Sequence, residues 1–125
     1  MTNGKDDITG LTVAQLVAAF AESGIAQAHA DLQRKYSVYN RLYRKIEKIQ
    51  SELKSRVGDR RSALVPLLNH PNPQVRWMAA EFTLAVAPVE AREALRDLSD
   101  KNIYPQAADA RGTLESLAAG RRKPT

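Results

Sequence analysis

The chain of 125 residues contains no cysteine. That absence excludes a disulfide framework, a thiolate nucleophile and any cysteine-ligated zinc or iron–sulfur centre, although it identifies no compartment. Histidine is scarce as well. His29 and His70 are the only two, and neither is followed at i+3 or i+4 by a carboxylate or histidine in a metal-ligand spacing. No metal and no cofactor is expected. There is no glycine-rich phosphate loop and no serine nucleophile elbow. No apolar run approaches the roughly 20 residues that span a bilayer, so membrane insertion is not expected. The one stretch that could pass for a signal-peptide core, residues 11–21, follows Lys5, Asp6 and Asp7. That lead is net acidic where a secretory leader is basic, so the stretch is read as a folded helix and the cytoplasm as the default location.

What is present is an ordinary globular composition, 43% hydrophobic and 26% charged, on a chain long enough for one domain to bury about two thirds of its unfolded surface. The net charge of +5 is unevenly spread. Residues 1–33 carry 1 Lys against 4 Asp and Glu, whereas residues 34–61 carry 10 Lys and Arg against 3 Asp and Glu. Residues 62–120 are mildly acidic, and Arg121, Arg122 and Lys123 come after them.

Hydrophobic periodicity reads as helix throughout. Thr12 and Gln15 form the pattern of a capping box, Leu11 can staple onto Leu16, and Val13, Leu16, Val17 and Phe20 share one face. Gly24 is the expected C-terminal stop of that first helix. From Ile25 to about Arg56 neither proline nor glycine occurs. Leu32, Tyr39, Ile46 and Leu53 recur there every seven residues, with Tyr36, Leu42, Tyr43, Ile49 and Val57 beside them. One long second helix is expected, with Ser37 or Asn40 as the points where it could break. Gly58 ends it and Asp59 can cap the next helix.

Past Asp59, short helical stretches alternate with proline turns. Ser62 to Leu68 turns Leu64, Leu67 and Leu68 to one side with Pro66 inside, where a kink or early end is expected. Asn72 and Pro73 are placed as N-cap and first residue of the next helix. Its stripe is Val75, Met78, Ala79, Phe82 and Ala85, with Trp77 and Leu84 off that face, as in a helix sandwiched between neighbours. Pro88 opens a helix with Ala91, Leu95 and Leu98 inward. Pro105 opens the last, with Ala107, Ala110, Leu114 and Leu117 inward and Gly120 as terminator. The two halves of this region repeat: Leu68 corresponds to Leu98, Pro73-Gln74 to Pro105-Gln106, Phe82 to Leu114 and Ala85 to Leu117. Six helices and no strand make an all-α protein.

The stretch from Leu64 to Glu81, with its proline-bearing first helix, its Asn69-His70-Pro71-Asn72-Pro73 turn, its Val75-Arg76 pair and its alanine-rich second helix, resembles a HEAT repeat. The second copy is weaker, since Ala107-Ala108 replaces Val75-Arg76. Residues from about Leu11 to Gly120 are also similar to a small bacterial family of HEAT-like proteins known only as a domain of unknown function. The polar, aperiodic start of the chain reads as a mobile lead over 1–10 and Arg121, Arg122 and Lys123 as a basic tail over 121–125, while the resemblance implies one HEAT-like helical domain over 11–120 built as an α-α superhelix. It further implies that Arg76 bonds into the inter-helix turn, where Asn69 and Asn72 stand in place of the usual aspartate. It implies a binding scaffold and carries over no catalytic residue.

Two features are candidates for that binding. On the solvent side of the long helix, Arg34, Arg41, Arg44, Lys45 and Lys48 would form a basic stripe about 21 Å long, suited to an acidic partner or a phosphate backbone. A plainly solvated helix face explains the same residues without any function. Trp77 would anchor an interface if exposed and pack between repeats if buried. Tyr36, Tyr39 and Tyr43 share one side of the helix, as packing or as a stacking surface. Glu90, Glu93 and Asp97 form an acidic row read as salt-bridged surface with Arg92 and Arg96. The expectation is a non-enzymatic module that binds a protein, its own copy included. Nucleic-acid binding through the basic stripe is the alternative.

Overall fold

A computed structural model describes residues 7–125, and among these it contains five α-helices, one 3-10 helix and no strand. Its helices are α1 (Val13–Leu32), α2 (Tyr36–Ser55), a 3-10 helix (Arg60–Asn69), α3 (Pro73–Thr83), α4 (Pro88–Asp100) and α5 (Gln106–Ala118). Where the sequence reads one domain over 11–120, the chain gathers into two compact units, Met1–Ala63 and Leu64–Thr125, which are taken in turn.

The first unit is a helical hairpin in which α1 packs along α2. Its opening is as expected: Gln15 donates its backbone N–H to Thr12 Oγ1 at 3.1 Å, and Thr12 donates its own to Gln15 Oε1 at 2.8 Å. Gly24, however, does not end the helix. It lies buried inside α1, between Ser23 and Gln27 on the same inward face as Leu16, Phe20 and Ala30. A mid-helix glycine costs about 1 kcal/mol relative to alanine, and burial along a whole helix face outweighs that.

Nor is Ile25 to Arg56 a single helix. The break falls at Gln33, Arg34 and Lys35, ahead of Ser37 and Asn40. Lys35 donates to the Ala30 carbonyl at 2.8 Å and Arg34 to that of Asp31 at 3.0 Å, with Arg34 in the left-handed region at φ 56. This is a Schellman stop with arginine where glycine is usual. Asn102 and Gly120 close α4 and α5 in the same way, at φ 53 and φ 74. The physical reason for the break is reach: a straight helix cannot fold back on itself, whereas the hairpin buries Leu16 and Phe20 on one arm and Ile46, Ile49 and Leu53 on the other. Leu32 is left 84% exposed and Val57 96% exposed, so neither belongs to the seam assigned to it. A left-handed non-glycine residue costs about 1 kcal/mol, a penalty that can run to about 2 kcal/mol. Set against about 0.5–1 kcal/mol of added unfolded-state entropy for glycine, Arg34→Gly is expected to stabilise the chain by a net of up to about 0.5–1 kcal/mol, read as a higher urea midpoint.

Residues 8–9, part of the expected mobile lead, are tied down by Arg56, whose Nη2 donates to the carbonyls of Ile8 at 3.5 Å and Thr9 at 3.2 Å. Residues 1–6 of that lead lie outside the described residues.

In the second unit α4 packs against both α3 and α5. Pro66 produces neither a kink nor an early end, since the backbone around it winds as a 3-10 helix from Arg60 to Asn69, unusually long for that geometry. Asn72 caps α3 by accepting from the Gln74 N–H at 2.9 Å, and Pro73 and Pro88 stand in the first turns of α3 and α4. Arg76 hooks into the preceding turn through Nη1, which donates to the carbonyls of His70 at 2.8 Å and Pro71 at 3.2 Å. The turn asparagines are not its acceptors. Ala91, Leu95, Leu98, Ala107 and Ala110 are buried as expected, while Ala85, past the end of α3, is exposed. Helices α3 and α5 meet in a register of 32 residues: Gln106 Nε2 donates to Gln74 Oε1 at 2.8 Å, and Thr113 Oγ1 to Glu81 Oε2 at 2.9 Å.

Candidate functional site

At 100° per residue, Arg41, Arg44, Lys45 and Lys48 occupy one arc of about 100° on α2, while buried Ile46, Ile49 and Leu53 occupy another centred about 120° away. The sequence pattern thus forces the cations outward once the apolar seam is buried. All four are exposed. Arg34 does not join them. It sits in the turn before α2, so the stripe spans residues 41–48, about 10.5 Å at 1.5 Å per residue, half the length expected for an unbroken helix. Half-buried Val38 and Leu42 line one edge of the stripe. Beyond the other edge lie Tyr36, 58% exposed, and Tyr43, 37% exposed.

What marks this stripe is that four cations without partners among the described residues share one face of one helix, whereas several of the other arginines are held. Arg56 is paired with Glu52, Arg61 with Asp59 and Arg122 with Glu81, and Arg76 and Arg111 bond to turn carbonyls. Among the described residues no ion pair or side-chain hydrogen bond holds Arg41, Arg44, Lys45 or Lys48. They are one another's i+3 and i+4 neighbours four times over. Each such like-charge pair costs a helix about 0.2–0.5 kcal/mol, a penalty that a bound anion removes.

The other candidates resolve differently. Trp77 is only 9% exposed, so it packs inside and offers a partner little surface to grip. The packing reading replaces that of an interface anchor. In the basic tail, Arg122 is engaged within its own unit, reaching back to the Glu81 carboxylate that also accepts from Thr113. The row Glu90, Glu93 and Asp97 is exposed and continues to Asp100. Among the described residues its one ion pair is Asp97 with Lys101 at 2.9 Å; Arg92 and Arg96 bridge none of the four. His70 serves its turn, Nδ1 accepting from the Asn72 N–H at 3.0 Å. No group of three histidine and carboxylate side chains among the described residues converges as a metal site would, and no helix there is long and apolar enough to cross a membrane.

Sequence reasoning missed the cluster around Arg111. Its Nε donates to Ser99 Oγ at 3.0 Å, and Nη2 to the Ser99 carbonyl at 2.7 Å and to Asn102 Oδ1 at 2.6 Å. Nη1 meets the Tyr104 hydroxyl, and the guanidinium carbon lies 5.4 Å from that ring's centroid. No motif announces it. The Gln74–Gln106 pair, by contrast, was signalled by the repeat that aligns those two residues.

Comparison with known proteins adds kinship without an activity. A family model described as "Domain of unknown function (DUF2019)" matches residues 14–118. The crystal structure of the protein RPA1889 from Rhodopseudomonas palustris CGA009 superposes with a TM-score of 0.94, at 44% sequence identity, covering 95% of this chain and 98% of that one. No curated protein matches.

Proposed function

Since the chain belongs to the DUF2019 family, a domain described only as of unknown function, we propose from its geometry that it is a non-enzymatic, HEAT-like helical module of the cytoplasm that binds a protein partner. The observation that carries this is the exposed row Arg41, Arg44, Lys45 and Lys48, without partners among the described residues. Four desolvatable cations on one rigid helix, edged by Val38 and Leu42, suit an acidic protein surface with an apolar margin. The HEAT-like reading draws support from the 32-residue register between α3 and α5 and from Arg76 in its turn. A photoreactive phenylalanine analogue in place of Ser37, introduced in the native host, tests the reading. The expected result is one or a few discrete protein adducts that disappear when Arg41→Glu and Arg44→Glu are added. Adducts indifferent to charge reversal would overturn it.

Binding of a nucleic-acid backbone to the same cations is the second reading, and it rests on their being arginine and lysine with no ion pair among the described residues. Neutralising up to four phosphates would give a salt slope of about −3.6 in a log–log plot of affinity. The shortening of the stripe at Arg34 weighs against it, because a strand crossing this face meets few contacts. Unchanged retention on heparin after Arg41→Glu with Arg44→Glu would remove it.

A further inference from the structure

We infer that the acidic surface fitting this basic row is helix α4 of a second copy of the same chain, an inference that rests on the protein-binding reading above. Glu90, Glu93, Asp97 and Asp100 are all exposed and fall within an arc of about 80° on α4, centred about 150° from buried Ala91, Leu95 and Leu98. The spacings agree. Arg41, Arg44 and Lys48 recur at i, i+3 and i+7, as do Glu90, Glu93 and Asp97. Lys45 supplies the i, i+4, i+7 alternative, so the carboxylates can be met with the two helices running in either direction. Each triplet covers about 10.5 Å of helix, which lets three ion pairs form along one helix–helix contact without a mismatch.

The edges of the two stripes are compatible too. Val89, at 62% exposure, lies within one turn of Glu90 and Glu93, and Val38 and Leu42 border the cations, so an apolar margin is available on both sides. Among the described residues of a single copy these charges stay open, apart from Asp97, which shares its carboxylate with Lys101, a pair that is itself exposed. Every chain therefore carries a cationic helix face and its complement, and association satisfies both.

Exposed ion pairs contribute little each, so the association is weak and salt-sensitive, with a dissociation constant of about 10⁻⁴ M at low salt. Screening weakens it at least about tenfold when the salt is raised to about 0.3 M. Sedimentation equilibrium over a concentration series tests this with the full chain and two variants. One carries Arg44→Glu and Lys48→Glu, the other Glu93→Lys and Asp97→Lys. Each variant alone opposes like charges and is expected to stay monomeric with an unchanged circular dichroism spectrum. Mixed one to one, they present opposite faces again and are expected to regain the wild-type affinity to within about threefold. A wild-type chain that is monomeric to about 1 mM in low salt overturns the inference while leaving crosslinking to a different protein intact. Association that survives in either variant, or that fails to return on mixing, also overturns it, since the contact then lies elsewhere.

Discussion

Asp59→Asn is expected to destabilise the chain by about 2 kcal/mol at neutral pH. Asp59 holds Arg61 with both oxygens: Oδ1 accepts from Nε at 2.9 Å and Oδ2 from Nη2 at 2.6 Å. The Arg61 side chain is only 8% exposed, so neutralising the carboxylate removes a two-pronged, charge-assisted contact from a largely desolvated guanidinium. Breaking a fully buried pair costs roughly 3–5 kcal/mol; the Asp59 side chain is 35% exposed, and the effect is scaled down accordingly. Asparagine keeps the size of the side chain and tolerates the left-handed backbone at φ 48, so the loss reports charge and not strain. The hydrogen bond from Arg61 holds the Asp59 carboxyl below the ordinary carboxylate value of 3.8, against the opposing pull of desolvation. A depressed native value means that this stabilisation is complete above 3.8 and is lost as pH falls through the lower native value. Urea unfolding of both proteins across acid pH should therefore show the difference between them shrinking only below the ordinary carboxylate range. A difference independent of pH, or absent at pH 7, would contradict the assignment.

The second large effect is expected at Arg111. Replacing it with methionine keeps the aliphatic stem and deletes the donors to Ser99, Asn102 and Tyr104. Hydrogen bonds from a charged group contribute about 1.5–3 kcal/mol, and these act on one short connection between α4 and α5. A loss of about 2–3 kcal/mol is expected in urea unfolding. Arg111→Lys should recover less than half of it, because a lysine ammonium cannot present the planar fork that reaches Ser99 and Asn102 together or stack on the Tyr104 ring. Full recovery by lysine would show that charge at the C-terminal end of α4, and not geometry, is what matters.

The parts of the fold that were legible before the structure are those written in nearest neighbours along the chain. The Thr12–Gln15 box, the Asn72 cap with Pro73, the entry of α4 at Pro88 and the stop at Gly120 each depend on residues within a turn of one another. The seam of Ile46, Ile49 and Leu53 follows from helical spacing, and it sends Arg41, Arg44, Lys45 and Lys48 outward for the same reason. Gly24 and Arg34 were misread because each adopts a conformation its residue type disfavours. Glycine stays helical inside α1 and arginine turns left-handed after it, since together they allow both arms of the hairpin to bury their apolar sides.

Whether a cation is free is likewise not a local property. Arg122 is bound by Glu81, 41 positions earlier in the chain, and Trp77 lost its candidacy as an anchor to burial; the row on α2 stays open because no carboxylate among the described residues is folded onto it. By itself, then, the amino-acid order determined an all-helical chain, most of its caps and the faces its charges occupy, because these arise from backbone hydrogen bonding and periodicity over a few residues. Tertiary structure alone decided where the second helix begins, which arginines are neutralised and which charged faces stay exposed, because those depend on groups far apart in sequence competing for burial and for one another.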